Sequence, residues 1–121
     1  MDTGMPARSR GKLGEMRAAQ YLEGLGWRIL ERNVQTSGGE IDLIALDGEI
    51  LAFVEVKVRN GGAIHARESV TLAKQRRICR TALWYMQRHG LRRQARFDVI
   101  EIQDGALTLI KNAFPYRGGA F

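Results

Sequence analysis

The sequence predicts a single α/β domain in which one mixed β-sheet carries a helix on each side. Three observations lead to this fold class: two stretches with helical periodicity, five short stretches with strand character, and two Asp-Gly pairs suited to tight turns. In chain order the elements read α-β-β-β-α-β-β. The length of 121 residues fits one such domain. We therefore expect a flexible basic tail over residues 1–10 and a single domain over residues 11–121.

Both helices are predicted from apolar residues that recur at helical spacing, over residues 11–25 and 70–89. Ser69 or Thr71 is the candidate N-cap of the second helix, and Gly90 is its stop signal. The apolar side of the first helix consists of Ala18, Ala19, Tyr21, Leu22 and Leu25. The apolar side of the second consists of Leu72, Ile78, Cys79, Ala82, Leu83 and Met86.

Five strands are predicted from runs of β-branched and aromatic residues that are bounded by turn residues. Their ranges are 27–33, 40–46, 50–59, 97–103 and 106–111. The pair Asp104-Gly105 predicts a hairpin between the last two strands. The Gly-rich, polar stretch at residues 60–69 is predicted to be a flexible loop.

The chain is strongly basic, with 19 Lys and Arg residues against 13 Asp and Glu residues and a formal net charge of +6. Fifteen of the cations are arginines, whose planar guanidinium group can bind a phosphate through two hydrogen bonds. Nucleic acid is therefore the leading partner class. The single Cys79 excludes an internal disulfide, and no apolar run is long enough for a membrane span. We expect a cytoplasmic protein that does not bind a membrane.

The segment GEIDLIALDGEILAFVEVKVR, residues 39–59, carries charges at both of its ends and apolar residues between them. Its turn is either Asp47-Gly48 as type I′ or Gly48-Glu49 as type II′. The first turn makes Asp42 diagonal to Glu55, and the second places the two side chains directly opposite each other. Either turn therefore brings both carboxylates to one face, within roughly 8 Å at the backbone.

Two carboxylates that converge on one face can bind one cation, and without a cation they repel each other. Asp42 and Glu55 provide hard oxygen ligands of the kind preferred by Mg²⁺ or Mn²⁺. Lys57 points to the same face, where it could orient or deprotonate a water molecule or offset charge on a phosphate. The alternative is a half-exposed hairpin whose Glu55 and Lys57 simply face solvent. That alternative does not explain why the charges gather at the open end while the turn end stays apolar.

Glu15 falls inside the apolar side of the first helix, in line with Leu22. A buried carboxylate needs a partner, so this residue could reach the same metal ion. Alternatively, it is a first-turn glutamate that the helix dipole stabilises.

No acidic residue occurs between Glu68 and Asp98, a span that contains eight Lys and Arg residues. Within the second helix, Lys74, Arg77 and Arg88 cluster beside Trp84, opposite the apolar side. Such a stripe suits phosphate contacts, although a solvated helix face is the commoner origin of charge runs. Arg59 lies two residues after Lys57 and is well placed to contact a scissile phosphate. Gln75 lies within the apolar side, either as a structural bridge or facing the site.

The sequence Asp42 followed by Glu55-Val56-Lys57 resembles the D…(E)-x-K pattern of the PD-(D/E)XK phosphodiesterase superfamily, which has the restriction-endonuclease-like fold. A wider set of blocks resembles the YraN-like family of predicted endonucleases: Gly11, Gly14-Glu15, GEIDLI, FVEVKVR, the KQRR of residues 74–77, FDVI and NAF. The chain is also similar, more remotely, to the archaeal Holliday-junction resolvases.

The resemblance implies an αβββαβ core with a defined set of site residues. Asp42, Glu55 and the backbone carbonyl of Val56 would be metal ligands, Lys57 the catalytic lysine and Glu15 an acid supplied by the first helix. Two positions depart from the pattern. Leu72 stands where the family is expected to have a proline, and Ile41 replaces the proline of the superfamily's name. Neither departure removes a catalytic group.

These observations predict a Mg²⁺- or Mn²⁺-dependent endonuclease that acts on branched or otherwise structured DNA. Arg59 and the basic segment Lys74, Arg76 and Arg77 would hold the nucleic-acid backbone. The rival hypothesis is a non-catalytic nucleic-acid-binding module of the same fold in a repair or processing complex. An RNA substrate stays open, because phosphate contacts do not distinguish RNA from DNA. A C2 homodimer would suit a small enzyme that cuts both strands.

Overall fold

The computed structural model describes residues 7–59 and 70–117. Residues 1–6 of the predicted tail and the whole predicted loop at residues 60–69 lie outside these ranges. The described elements are α1 (Ala7–Gly24), β1 (Arg28–Thr36), β2 (Gly39–Asp47), β3 (Ile50–Arg59), α2 (Leu72–Arg88), β4 (Ala95–Gln103) and β5 (Ala106–Ile110). No described helix is long and apolar enough to span a membrane.

The five strands form one mixed sheet in the order β1-β2-β3-β4-β5. Only the β3–β4 pair is parallel, because α2 lies between these strands in the chain and returns it to the same end of the sheet. The other three pairs are antiparallel neighbours joined by short turns. This architecture confirms the predicted α/β fold with its αβββαβ core.

The two helices cover opposite faces of the sheet, as predicted. On one face α1 contributes Ala18, Ala19 and Leu22 to a cluster with residues of β2 to β4. On the other face α2 contributes Ile78, Cys79, Ala82 and Tyr85, which pack with the inward side chains of β3 and β4. The structure therefore has two apolar layers, separated by the sheet.

The helix boundaries and apolar faces differ in part from the prediction. α1 begins at Ala7, four residues before the predicted start. Tyr21, Leu25 and Leu72 were predicted to be buried, which is wrong, since each is more than 40% exposed. Over residues 11–24, α1 buries only a narrow stripe, formed by Gly14, Ala18, Ala19 and Leu22, because it lies very close to the sheet. Thr71 caps α2, and its hydroxyl oxygen accepts the backbone N–H of Lys74 at 3.2 Å.

The β2–β3 hairpin adopts the second of the two predicted turns. Asp47 pairs with Ile50, and Gly48 has a φ of +60°, a conformation that glycine adopts without strain. The pairs continue to Leu43 opposite Val54. Asp42 and Glu55 follow directly, so this register makes them neighbours at the open end of the hairpin.

The course of β2 changes direction at Asp42. Leu43 packs in the α1 layer, whereas Ile41, two residues away, packs in the α2 layer. The regular alternation of a strand would place both on one face. Asn33 lies opposite Asp42 in the β1–β2 register and has a φ of +53°, which marks the same point on β1. The kink in this strand pair therefore occurs at the predicted site residue.

A clamp centred on Arg96 holds the turn end of the hairpin. The guanidinium group of Arg96 donates to Asp98 at 2.8 Å and to Asp47 at 2.9 Å, and it lies 5.2 Å from the centre of the Trp27 ring. Asp98, which is fully buried, also accepts the backbone N–H of Asn112 at 2.8 Å. The clamp thus connects β2, β4 and the segment after β5.

Close packing of α1 against β3 depends on the absence of a side chain at Gly14. A Cβ at this position would overlap the Val58 Cγ2 atom. We expect Gly14→Ala to lower the free energy of unfolding by about 1–2 kcal/mol, because the overlap outweighs the higher helix propensity of alanine. Urea unfolding measures the effect.

Gly11→Ala is the matched control, since a Cβ at Gly11 meets no atom within 4 Å. It should stabilise the protein slightly. In a Val58→Ala background, Gly14→Ala should lose its cost. A full cost in that background would contradict the proposed overlap.

Candidate functional site

Asp42 and Glu55 form a buried pair of acids at the open end of the β2–β3 hairpin. Their relative exposures are 6% and 7%, although most of the open end is polar. The Asp42 carboxyl group accepts the backbone N–H of Val56 at 2.7 Å and is hydrogen-bonded to Glu55. The structure thus brings together the two residues that the turn geometry had placed on one face.

Two lysines approach this acid pair from different elements. Lys74, in the first turn of α2, places its Nζ 2.6 Å from the Glu55 Oε2 atom. Lys57, on the same strand and face as Glu55, places its Nζ 3.9 Å from that oxygen. The site therefore contains two carboxyl and two amino groups, contributed by β2, β3 and α2.

The two acids have pKa values shifted in opposite directions. Burial, together with the hydrogen bond and the charge of Glu55, raises the pKa of Asp42 to about 9. Burial also acts to raise the pKa of Glu55. The hydrogen bond from Asp42 and the ion pair with Lys74 outweigh burial, so the pKa of Glu55 lies below its ordinary value. At neutral pH Asp42 therefore holds a proton, which it donates to ionised Glu55.

The two lysines also have pKa values shifted in opposite directions. Burial and the neighbouring Lys74 ammonium group lower the pKa of Lys57. Burial acts in the same direction on Lys74, but the hydrogen bond and charge of Glu55 outweigh it and raise the pKa of Lys74 above its ordinary value. Lys74 is thus the permanent cation of the site, whereas Lys57 releases its proton more easily than an ordinary lysine.

The donor set suits a hard divalent cation. Asp42 and Glu55 supply carboxylate oxygens, the ligand type that Mg²⁺ and Mn²⁺ prefer. The proton on Asp42 and the ammonium group of Lys74 offset the negative charge of the two carboxyl groups, which a bound cation would otherwise neutralise. Within residues 7–59 and 70–117 no group of three His, Cys, Asp or Glu side chains could hold a metal. A bound ion would need further oxygens from the backbone, water or a phosphate.

The structure places Glu15 beside the acid pair but not in contact with it. Glu15 is half-buried on α1 and lines a cleft with Lys12, Asn33, Gln35 and Glu40. Its negative charge contributes to the raised pKa of Asp42, but less than burial and Glu55 do. Glu15 is therefore near enough to influence the site electrostatically.

A cleft of about 410 Å³ opens beside the acid pair. It is lined by Glu55, Lys74, Arg77, Ile78 and the residues of the β1–β2 turn from Gln35 to Glu40. The turn can lie close to α2 because Gly39 has no side chain, since a Cβ there would be 2.9 Å from the Arg77 carbonyl oxygen. This close approach fixes α2 over the open end of the hairpin.

The predicted basic residues have different positions around this cleft. Lys74 and Arg77 line it, whereas Arg76 is exposed on α2 and is not among the lining residues. Arg88 lies 5.6 Å from the centre of the exposed Trp84 ring, further along the same helix. Arg59 is partly buried, and its Nε has no hydrogen-bond partner among the described residues.

Several polar residues that the sequence singled out have structural partners. Gln75 donates to the Val70 carbonyl oxygen at 2.9 Å and accepts from Arg117 at 3.0 Å, so it is a bridge. Asp98 belongs to the Arg96 clamp. Cys79 is fully buried in the α2 layer, and burial raises the pKa of its thiol.

The sequence did not predict that Lys74 contacts the acid pair. Its charge had been interpreted only as part of a phosphate-binding stripe. The available signal was the Thr71 N-cap, which places Lys74 in the first turn of a helix that covers the Glu55 face of the sheet. How closely that helical turn approaches the hairpin depends on the contact between Gly39 and Arg77. No sequence pattern predicts this contact.

The raised pKa of Asp42 predicts a pH-dependent stability. The folded chain binds a proton that the unfolded chain releases above about pH 4, so wild-type stability falls as pH rises towards 9. Asp42→Asn keeps a neutral, hydrogen-bonding side chain and should avoid this loss. In EDTA, the stability of the variant relative to wild type should therefore rise with pH, by at most about 1.4 kcal/mol per pH unit. Urea unfolding between pH 5 and 8.5 measures it, and a constant difference would contradict the protonated state of Asp42.

The chain was compared with known proteins and protein families. The model of the Uncharacterised protein family UPF0102 matches residues 14–102, which include both acids and both lysines of the site. A UPF0102 protein of Symbiobacterium thermophilum is 49% identical over 115 residues, covering 89% of this chain and 98% of the relative. UPF0102 proteins of Marinobacter nauticus and Alkalilimnicola ehrlichii are 47% and 43% identical, covering 88% and 93% of this chain and 93% and 92% of theirs. The chain therefore belongs to the UPF0102 family, in agreement with the YraN-like motifs of its sequence.

Proposed function

We propose that this protein is a metal-dependent phosphodiesterase, an endonuclease that acts on branched or otherwise structured DNA. The observation that carries the proposal is the buried Asp42–Glu55 pair with Lys57 and Lys74 at the open end of the hairpin. A fold gains nothing in stability by burying two carboxylates side by side. Such groups with strongly shifted pKa values are typical of functional sites.

The order of elements supports a relationship to the PD-(D/E)XK superfamily. In this chain the central hairpin carries Asp42 on one strand and Glu55-Val56-Lys57 on the next. The αβββαβ order and the placement of helices on both faces agree with the restriction-endonuclease-like fold that this motif implied. The proposal thus combines the motif with the geometry of its residues.

Each side chain of the site has a chemical role in the proposed hydrolysis. Asp42 and Glu55, with the backbone carbonyl of Val56, would hold Mg²⁺ or Mn²⁺. The bound ion would supply Lewis acidity and lower the pKa of a water molecule. Lys57, with its lowered pKa, would accept a proton at its Nζ from the attacking water, and Lys74 would bind the phosphate as a permanent cation.

The surroundings of the site suit a polyanionic substrate. The net charge of +6 and the cations along α2 favour contact with the nucleic-acid backbone. Arg77 lines the cleft. Arg76 is its neighbour in the sequence, and Arg59 follows Lys57 by two residues. Glu15 would act from α1 as an additional acid. A homodimer would allow one protein to cut two strands.

Glu55→Gln removes the charge of a proposed metal ligand while keeping the shape of the side chain. We expect it to reduce Mn²⁺-dependent DNA cleavage by about 10²–10³-fold or more. Binding of DNA in EDTA should persist, because the variant removes a negative charge from a basic protein. Glu55→Ala should behave in the same way. A panel of linear, nicked, flapped and four-way DNA, with and without Mn²⁺, measures cleavage.

Glu49→Gln is the matched control for charge, since Glu49 is exposed at the turn end and paired with Arg93. It should cleave like wild type. Cleavage that survives Glu55→Gln would instead indicate a contaminating nuclease. Calorimetry with Mn²⁺ tests the rival hypothesis of a non-catalytic binding module: no heat of metal binding, together with salt-sensitive DNA binding, would favour the rival.

Lys57→Arg keeps the positive charge but removes the ability to accept a proton near neutral pH. If Lys57 is the base, kcat should fall by about 10²–10⁴-fold with little change in DNA affinity. The wild-type rate should rise with pH as Lys57 loses its proton, and this rise should be absent in the variant. Lys111→Arg, at the clamp end, is the control. Equal pH profiles for wild type and Lys57→Arg would exclude Lys57 as the base.

A further inference from the structure

The outer surface of α2 carries one tryptophan within a row of arginines. The row consists of Arg77, Arg80, Trp84 and Arg88, which follow one another at helical spacing and therefore lie along one side of the helix. All four side chains are exposed. This row, the α2 ridge, begins one turn after Lys74, which contacts Glu55. The ridge thus leads away from the acid pair along the helix.

No acidic side chain compensates the positive charge of the ridge. α2 contains five Lys and Arg residues but no Asp or Glu residue. Among the described residues, no acid forms an ion pair with the arginines of the ridge. A helix face that meets only solvent usually mixes both signs of charge. The ridge is therefore complementary to a polyanion, and each guanidinium group can donate two hydrogen bonds to a phosphate.

Trp84 gives the ridge a second kind of contact. Its side chain is 42% exposed, and the guanidinium carbon of Arg88 lies over its ring, 5.6 Å from the centre. This cation–π contact orients the ring and leaves its exposed part free for a further aromatic group. Proteins that bind single-stranded nucleic acid combine a positively charged surface with such aromatic side chains, because every base has a flat face that can stack.

We propose that the α2 ridge binds a single-stranded arm of the nucleic-acid substrate, with one unpaired base stacked on Trp84 and the backbone phosphates held by the arginines. In a duplex the faces of the bases are stacked on their neighbours, so a paired base cannot make this contact. Trp84 lies about 15 Å along the helix from Lys74, at 1.5 Å per residue. A few nucleotides therefore separate the stacked base from a phosphate at the acid pair.

This inference deepens the proposed nuclease function and rests on it, because it identifies a single-stranded arm as the part of the structured DNA that α2 recognises. The contact with Trp84 can nevertheless be measured without metal and without cleavage. Trp27, the second tryptophan of the chain, is buried, so Trp84 is the tryptophan that a bound base can reach.

Fluorescence titration in EDTA with oligo-dT of about 12 nucleotides tests the stacking contact. The oligonucleotide should quench the tryptophan emission of the wild type, because a base lies on the Trp84 ring. Trp84→Phe keeps an aromatic ring and leaves Trp27 as the only fluorescent tryptophan. This variant should bind oligo-dT within about twofold of the wild type, but without the quenching.

Trp84→Ala should weaken oligo-dT binding by about fivefold or more and leave the binding of a duplex of the same length nearly unchanged. Tyr21→Ala is the matched control, since Tyr21 is 41% exposed and lies on α1, across the sheet from the ridge. It should bind like the wild type. Arg80→Gln should reduce the slope of log affinity against log salt by about 0.7, whereas Trp84→Ala should not change this slope, because stacking releases no counterions.

Circular dichroism and thermal unfolding establish that the variants fold. Equal oligo-dT affinities of the wild type and Trp84→Ala, or quenching that persists in Trp84→Phe, would overturn the stacking site. Self-association of the wild type that is abolished by Trp84→Ala, with no effect of this variant on oligo-dT binding, would assign the ridge to an interface between copies of the chain.

A parallel Mn²⁺ cleavage assay with flapped DNA separates these outcomes from the fate of the proposed function. Cleavage by the wild type that is unchanged in Trp84→Ala would remove only the stacking site. Oligo-dT binding that depends on Trp84, without cleavage by the wild type, would support the stacking site and remove the nuclease activity.

Discussion

The burial of two carboxyl groups against each other is the constraint on which the open end of this fold depends. Two charged carboxylates could not remain together in this position. A proton on Asp42, the backbone N–H of Val56 and the ammonium group of Lys74 together make the arrangement possible. Each of these partners comes from a different part of the structure. The site therefore forms only when the β2–β3 register, the kink at Asp42 and the docking of α2 are all in place.

Glycine and small residues set these positions more than large apolar side chains do. Gly39 allows the backbone of β2 to approach α2, and Gly14 allows α1 to approach β3. The left-handed conformation of Asn33 marks the point where β2 turns its side chains from one layer to the other. Backbone strain of this kind is common beside functional groups. Here the strained backbone interrupts the regular alternation of β2 side chains at Asp42, one of the two acids of the site.

The sequence predicted the fold and the central acid pair because both depend on strong local rules. Period-two and helical patterns located each strand and helix that the structure describes, and either favoured turn at Gly48 placed Asp42 and Glu55 on one face. The exposure of Tyr21 and Leu25 could not be predicted, since the depth of α1 on the sheet is set by the contact at Gly14. The contact of Lys74 with Glu55 could not be predicted for a similar reason. Its distance from Glu55 is a tertiary property, and charge patterns on one helix carry no information about it.

The Arg96 clamp has a consequence for how the two ends of the hairpin depend on each other. Asp47 lies about 17 Å along β2 from Asp42, whereas Asp98, the other acid of the clamp, pairs with Val54 directly beside Glu55. The clamp thus connects the turn of the hairpin to the strand position next to the site. Loss of the Arg96 guanidinium group would leave buried Asp98 without its ion pair and would therefore disturb β4 where it adjoins Glu55. The two ends of this hairpin are therefore mechanically coupled through one buried ion pair.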